Sequence, residues 1–339
     1  MCRTRRSSNT ETLAQRQGRA VGGSGAVSKA ASPGAPAGPE AKSKPQIVAQ
    51  HGPDLTSRVD DRVRQLSRAF VVAVLLVVLW QTERVDAAID GWYQEARRGL
   101  LANQYFEAWS PTVFYPLCTT FWLTVAAVDR RTGCFARFRL QPAGVRRHEV
   151  VEGPLRISLG FFIYVVPVFL LEWRKTPRID RLPATIPGVW GLAGSTLLNM
   201  LIFDTFFFII HFAFHRSRWL YRNVHSVHHR DSMPVPTDAN WVSPVERLSL
   251  VLSAAGALNL TGAHPVVRSL MTAYAVYFLV ENHCSYLFPC MWSEIVPCNI
   301  ISGPREHDAH HRYSSLCYAE YFTHWDKLLL RLFPKTATL

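Results

Sequence analysis

Charge is scarce in this sequence. Asp, Glu, Lys and Arg make up 18% of its 339 residues, whereas a soluble globular protein contains about 25%. Half of the net charge of +12 lies in residues 1–65, which contain eleven Lys or Arg and five Asp or Glu. The rest of the chain is largely apolar, and this division argues against an ordinary soluble globule.

Other signals are missing as well. The seven cysteines form no CxxC pair, which argues against a disulfide framework and a cysteine-based zinc site. No HExxH sequence occurs, which argues against a metalloprotease. Because no nucleic-acid-binding motif is present, basic charge beside apolar segments indicates membrane topology and anionic lipid, and no nucleic-acid partner is expected.

The chain divides into two regions of different composition. Residues 1–65 are rich in Gly, Pro, Ser and basic residues and show no apolar periodicity. Such a segment cannot bury enough surface to offset its chain entropy. We therefore predict a disordered tail over residues 1–65, with a mitochondrial transit peptide as an open alternative, and a transmembrane domain over residues 66–339.

Six apolar segments follow the tail. They are Ala69–Trp80, Trp109–Val128, Gly153–Trp173, Gly188–Ile210, Leu248–Leu260 and Val266–Val280. A membrane-spanning helix needs about 20 residues, so the first segment must recruit flanking residues or lie at the interface. The last two predict a helical hairpin that need not cross fully. The predicted fold is an all-α, polytopic bundle of membrane helices.

The loops indicate an orientation. Residues 129–152 contain six Arg and no Lys, which predicts a cytosolic loop because cytosolic loops are enriched in basic residues. Counting spans from there, the end of Gly188–Ile210 is also cytosolic, although the basic residues of 174–187 oppose this topology. A glycosylation sequon begins at Asn259, and its use is left open.

Histidine, in contrast, is abundant. Most of the thirteen histidines fall in three motifs of the second half, one HxxxH and two HxxHH. The motifs are His211 and His215; His225, His228 and His229; and His307, His310 and His311, with His283 standing apart. By chance, one HxxHH occurs in about 2% of chains with this histidine content. The pair of HxxHH motifs is therefore a specific signal.

The spacing of these motifs predicts metal ligands. Positions i, i+3 and i+4 share one face of a helix, so each motif can direct two or three imidazoles toward one point. Neutral imidazole suits iron, zinc, copper and nickel, and this many imidazoles exceeds what one ion can bind. We predict a dimetal site at the cytosolic end of the Gly188–Ile210 helix. A set of hydrogen-bonded histidines at the membrane boundary is the alternative.

Two further residues are candidates for supporting the ligands. Asp204 lies two helical turns before His211 on the same face, and an acid inside an apolar segment is functional by default. It is predicted to orient an imidazole or to bond to a neighbouring helix. His324 follows the third motif closely and is a candidate for the surroundings of the site.

The three motifs, in this order after a long apolar helix, resemble the fatty acid hydroxylase/sterol desaturase superfamily. Within it, residues 221–229, 259–265, 281–289 and 321–327 are similar to segments of the cholesterol 25-hydroxylases. The resemblance covers residues 105–332. It implies the ligand set His211, His215, His225, His228, His229, His283, His307, His310 and His311, all but His283 also being assigned a catalytic role.

The resemblance also implies a function. It points to a multi-pass di-iron monooxygenase of the endoplasmic reticulum that hydroxylates a sterol side chain, as in the conversion of cholesterol to 25-hydroxycholesterol. Two iron ions, O2 and NADPH-derived electrons from a partner such as cytochrome b5 or its reductase are expected. A sterol or fatty-acid desaturase or a C4-methyl sterol oxidase stays open within the superfamily. A histidine-rich membrane metal transporter is the alternative of another class.

Overall fold

The apolar segments form long helices. The computed structural model describes residues 58–141, 166, 170 and 182–333. Its helices of eight or more residues are α1 (Arg58–Trp80), α2 (Thr82–Ala96), α3 (Phe106–Thr132), α4 (Val189–Arg216), α5 (Pro244–Leu260), α6 (Pro265–Asn282), α7 (Pro304–Tyr313) and α8 (His324–Leu332). No strand occurs within these ranges, where only isolated bridges pair Arg139 with Tyr286 and Ile301 with Phe322. The predicted all-α fold is confirmed.

Three of the described helices are long and apolar enough to cross a membrane. The qualifying segments are Asp60–Trp80, Trp109–Thr132 and Val189–Arg216. The first recruits residues before Ala69, and its acidic first turn matches the positive end of the helix dipole. Its apolar side chains are exposed, with Trp80 at 82%, as a lipid-facing helix requires. The predicted polytopic membrane character is confirmed.

Two predicted segments, the tail and one membrane span, lie mostly outside the described residues. The predicted end of the tail at residue 65 falls inside α1, because this helix already begins at Arg58. Residues 1–57 lie outside the described residues, so the disordered tail stays a prediction. The predicted span Gly153–Trp173 also lies outside them, apart from Val166 and Leu170, which are exposed.

The predicted hairpin is present as α5 and α6. Ser243 begins α5, and its hydroxyl accepts the backbone N–H of Glu246 (3.2 Å). Pro244 occupies the first helical position, where its missing N–H costs nothing. Gly262 has a φ of +61° between the two helices, a conformation that favours glycine. α6 packs against α3 and α4, and α5 packs against α4.

Long-range polar contacts join the end of α3 to α7. The buried Asp129 carboxylate accepts hydrogen bonds from Arg139 and from the Tyr286 hydroxyl. Gln141 Nε2 donates to Asp308 Oδ1 of α7 at 2.9 Å. The C-terminal end of α3 therefore lies on the same side of the bundle as α7, which carries the third histidine motif.

Candidate metal centre

Four separate segments supply the nine predicted ligands. His211 and His215 lie in the last two turns of α4, and His283 caps the C-terminus of α6. The second motif lies in an irregular segment whose first turn is widened by an i to i+5 hydrogen bond from Ser226 N to Tyr221 O (2.7 Å). The third motif lies on α7. The structure brings all nine imidazoles together.

The first histidine group contains five imidazoles. Its members are His211, His215, His225, His229 and His310, and their candidate ligand atoms all lie within 4.8 Å of one another. His225 Nε2 lies 3.1 Å from His211 Nε2 and 2.8 Å from His215 Nε2. His229 Nε2 lies 3.0 Å from His310 Nε2. These Nε2 atoms therefore converge on one point.

The second histidine group contains four imidazoles and is fully buried. Its members are His228, His283, His307 and His311, again with ligand atoms within 4.8 Å of one another. His307 Nε2 lies 3.0 Å from His283 Nε2 and 3.1 Å from His311 Nε2. The two groups are adjacent, since the ring centroids of His229 and His311 are 4.8 Å apart.

The grouping differs from the simple prediction that each motif faces one point. His225 and His229 belong to the first group, whereas His228 between them belongs to the second. Likewise, α7 places His307 and His311 in the second group and His310 in the first. Successive side chains on a helix diverge by about 100°. A helix lying between two points can therefore serve both.

Backbone carbonyls fix the orientation of four imidazoles. The Nδ1 atoms of these rings lie within hydrogen-bond distance of a carbonyl oxygen, which can only accept. The pairs are His211 with Tyr318 (2.7 Å), His283 with Leu279 (2.7 Å), His310 with Leu316 (2.8 Å) and His311 with Asp231 (3.2 Å). Each Nδ1 therefore carries the proton, and each Nε2 presents a lone pair, as a metal ligand must.

Two buried carboxylates adjoin the histidine groups, and sequence reasoning did not find them. Glu246 Oε1 lies 2.8 Å from His225 Nδ1, and both side chains are almost fully buried. Glu320 Oε2 lies 3.8 Å from His307 Nδ1 and is also held by Asn282 Nδ2 through Oε1 (3.2 Å). Carboxylates in these positions orient imidazoles and raise their basicity.

The donor set fits a cation. Within the second group, His283 and His311 both direct Nε2 lone pairs at His307 Nε2, which can carry at most one proton. At least one lone pair in this dry cluster therefore lacks a donor, and a metal ion would satisfy it. Burial also lowers the pKa of His283 and His310 to about 4, so both imidazoles are neutral and ready to bind metal at neutral pH.

Asp204 and His324 lie outside both histidine groups. Asp204 is fully buried in α4, but its Oδ1 accepts the backbone N–H of Tyr321 (2.9 Å) rather than an imidazole N–H. It therefore anchors the segment that supplies the Leu316 and Tyr318 carbonyls. His324 is exposed at the start of α8. Its sequence proximity to the third motif does not bring it into either group.

A largely apolar cavity of about 380 Å³ lies between α3, α5 and α6, with Phe203 of α4 in its wall. Its volume is in the usual range for small-molecule pockets. Leu279 lines one end, and the carbonyl of this residue is the one that orients His283. The cavity therefore extends to within one helical turn of the second histidine group. We call it the interhelical cavity.

The fold and the paired histidine groups define a polytopic helical membrane protein with a centre suited to two metal ions. A sequence model of the fatty acid hydroxylase family matches residues 196–330. This range includes all nine histidines of the two groups. No solved structure matches the chain.

Curated relatives agree with this match. A "Cholesterol 25-hydroxylase-like protein" of Danio rerio is 31% identical over 222 residues, covering 65% of this chain and 86% of the relative. "Cholesterol 25-hydroxylase" of Homo sapiens is 35% identical over 49% of this chain and 61% of its own. "Methylsterol monooxygenase 2-2" of Arabidopsis thaliana is 33% identical over 54% and 68%. The chain belongs to the fatty acid hydroxylase family, and these relatives are oxidoreductases by name.

Proposed function

We propose that this protein is a membrane-bound di-iron monooxygenase that hydroxylates a sterol side chain. The observation that carries the proposal is the convergence of nine imidazoles, seven of them buried, in two adjacent groups beside an apolar cavity. Imidazole suits iron, and two groups of five and four ligands suit two ions. The names of the sterol-oxidising relatives support a sterol substrate.

The two irons, when bound, would supply the O2 and C–H oxidation chemistry. One oxygen atom would enter the C–H bond and the other would leave as water, using two protons and two electrons. The electrons would come from NADPH through a partner such as cytochrome b5 or its reductase. The chain's own residues hold the imidazoles in their metal-binding tautomers, exclude water by burial and place an apolar substrate in the interhelical cavity.

The second candidate is a C4-methyl sterol oxidase, which the similarity to a methylsterol monooxygenase favours. A desaturase would share the same ligands, because the two outcomes diverge only after hydrogen is first removed. A metal transporter is a weaker alternative. It predicts ligands spread through the depth of the bilayer, whereas all nine imidazoles cluster past the middle of α4 and in later segments.

We propose that the histidine groups face the cytosol from the endoplasmic reticulum membrane. The contacts of Gln141 with α7 put the end of α3 on the same side as the histidines. Arg130 and Arg131 lie in the last turn of α3, and Arg137 and Arg139 follow it. Such basic residues favour the cytosolic face. A protease-protection experiment on microsomes with a tag after α8 checks this orientation.

Expression in a sterol-producing cell that lacks the activity tests the proposed function. We expect lipid mass spectrometry to show a sterol that has gained one oxygen on its side chain. Oxidation at a ring methyl group would support the second candidate instead. A product that has lost two hydrogens without gaining oxygen would indicate desaturation. No new sterol product, despite about two irons per chain, would contradict a sterol substrate.

Replacing Glu246 by glutamine is expected to lower iron retention and product formation about 10–100-fold, the usual range for partners of metal-bound imidazoles. The amide oxygen could still accept from His225 Nδ1, but it could not carry the negative charge with which a carboxylate raises the basicity of a metal-bound imidazole. The measurements are iron per chain by mass spectrometry and sterol product. Glu83→Gln, on the exposed surface of α2, is the matched control. Wild-type iron in E246Q would show that the carboxylate does not support His225.

A further inference from the structure

A polar cluster lies at the end of the interhelical cavity that is away from the histidines. Arg268, in the first turn of α6, donates from Nε to Glu107 Oε2 of α3 (3.0 Å) and from Nη1 to Asn259 Oδ1 of α5 (3.1 Å). We call these three residues the polar clamp. Glu107 and Arg268 are the only charged side chains among the described residues that line this cavity.

The polar clamp lies at the end of the cavity that is far from Leu279, the lining residue one helical turn before His283. Both Arg268 and Leu279 line it from α6. Leu279 lies eleven positions after Arg268 in the helix, so these two ends are about 16 Å apart at a rise of 1.5 Å per residue. α5 runs the opposite way, because Glu246 in its first turn contacts His225 and Asn259 near its end belongs to the clamp.

Polar groups at the histidine end already have protein partners. Tyr115 Oη donates to Thr237 O (3.4 Å), Tyr321 Oη donates to Ala275 O (3.2 Å), and Asn240 Oδ1 accepts from Arg247 Nη1 (3.1 Å). A ligand in the cavity therefore meets apolar surface near the histidines and charge at the clamp. This arrangement orients a molecule with one polar end.

The chemistry of the clamp selects among lipids. The guanidinium of Arg268 has five N–H groups, of which two donate to Glu107 and Asn259. A ligand hydroxyl can accept from another of them and donate to the Glu107 carboxylate. An anionic headgroup can also approach Arg268, but the charge of Glu107 already neutralises the guanidinium and repels a second carboxylate.

We propose that the polar clamp binds the hydroxyl of a neutral, elongated lipid alcohol and so selects which carbon at its other end reaches the metal centre. This inference rests on the proposed function for the reaction, and it deepens that function by naming the group that the enzyme recognises. A sterol meets the description, because its ring hydroxyl and the end of its side chain lie at opposite ends of the molecule. A long-chain alcohol meets it as well.

Equilibrium binding tests the clamp without requiring turnover. Tritiated cholesterol is bound to the purified full-length chain in detergent micelles and displaced by unlabelled cholesterol, 5α-cholestane, 1-hexadecanol or hexadecanoate. We expect cholestane, which lacks the hydroxyl, to compete at least about tenfold more weakly than cholesterol, since a hydrogen bond to a charged group is lost. Hexadecanol is expected to compete better than hexadecanoate. Comparing how well hexadecanol and cholesterol compete shows how much of the binding depends on the hydroxyl and how much on the shape of the sterol.

Variants identify the residues responsible. Arg268→Met is expected to reduce the preference for cholesterol over cholestane to below about twofold, whereas Arg268→Lys keeps a donor and part of the preference. Glu107→Gln removes the counter-charge and is expected to improve competition by hexadecanoate. Arg130→Met, an exposed arginine at the other end of α3, is the matched control and should behave as wild type.

Equal binding of cholesterol and cholestane by the wild-type chain would overturn the inference. So would a preference that survives Arg268→Met. Should that variant not fold, Glu107→Gln decides, since unchanged discrimination against hexadecanoate contradicts the clamp. These binding ratios do not depend on iron or turnover. If the binding ratios contradict the clamp while the protein still hydroxylates sterol, only the clamp proposal is wrong. If the ratios support the clamp but no sterol product forms, only the proposed reaction is wrong.

Discussion

Replacing His228 or His310 by alanine is expected to abolish formation of the hydroxylated sterol. Each variant removes one imidazole from a different histidine group. Loss of a partner behind a ligand typically costs 10–100-fold in activity or metal affinity, so loss of a ligand itself should exceed about 100-fold. Iron per chain, measured by mass spectrometry, should fall below the wild-type value in both variants.

His324→Ala is the matched control for these two variants. It also removes one imidazole, but from an exposed position outside both groups. Iron content and product formation should stay at the wild-type level. Full turnover by H228A or H310A, or a comparable loss in H324A, would contradict the assignment of the nine histidines as ligands.

Asp204→Leu is expected to destabilise the protein and to reduce its iron content together. The leucine leaves the buried backbone N–H of Tyr321 without its acceptor, which costs about 1–3 kcal/mol. The segment before Tyr321 supplies the carbonyls that orient His211 and His310, so loosening it should also weaken the first histidine group. Thermal unfolding in detergent and iron analysis measure the two effects.

Asp204→Asn separates hydrogen bonding from charge at this position. The amide oxygen of asparagine can still accept from Tyr321, so D204N should recover most of the stability and iron that D204L loses. If D204N were as damaging as D204L, the negative charge rather than the backbone contact would be the important property. If D204L unfolded at the wild-type temperature, the anchoring role would be refuted.

Much of this arrangement is predictable from local patterns. Long apolar runs predict the membrane helices because a bilayer requires both length and low charge. α1, α3 and α4 were predictable in this way. The repeated HxxHH spacing predicts a concentration of imidazoles, because three histidines within one or two turns must lie close together. His283 entered only through the family resemblance, since a single histidine carries no spacing signal.

The division of the histidines could not be predicted, because it depends on tertiary packing. The periodicity of a helix says which side chains share a face, but not whether that face meets one site or two. His310 and His311 are neighbours in the sequence, yet His310 contacts His211 of α4 and His311 contacts His283 after α6, so they belong to different groups. Only the positions of the surrounding helices determine this.

The supporting residues were hidden for similar reasons. Ser243 and Glu246 have the spacing of a helix capping box. From the sequence, Glu246 would therefore be expected only to cap the start of its own helix. In the structure the serine does cap the backbone of Glu246, but the carboxylate contacts His225, 21 residues earlier in the chain. For Asp204 the local pattern pointed to His211, seven residues later in the same helix. In the structure its carboxylate instead accepts the backbone N–H of Tyr321, in a loop far along the chain.

The division of both HxxHH motifs couples the two halves of the centre. His228 and His229 share one short turn, as do His310 and His311. If the two groups hold two ions as proposed, a backbone shift that released one ion would also displace ligands of the other. We therefore expect cooperative loading, in which chains hold both ions or neither. Under iron shortage, a cell would then contain fewer competent enzyme molecules rather than a uniform population of half-assembled ones.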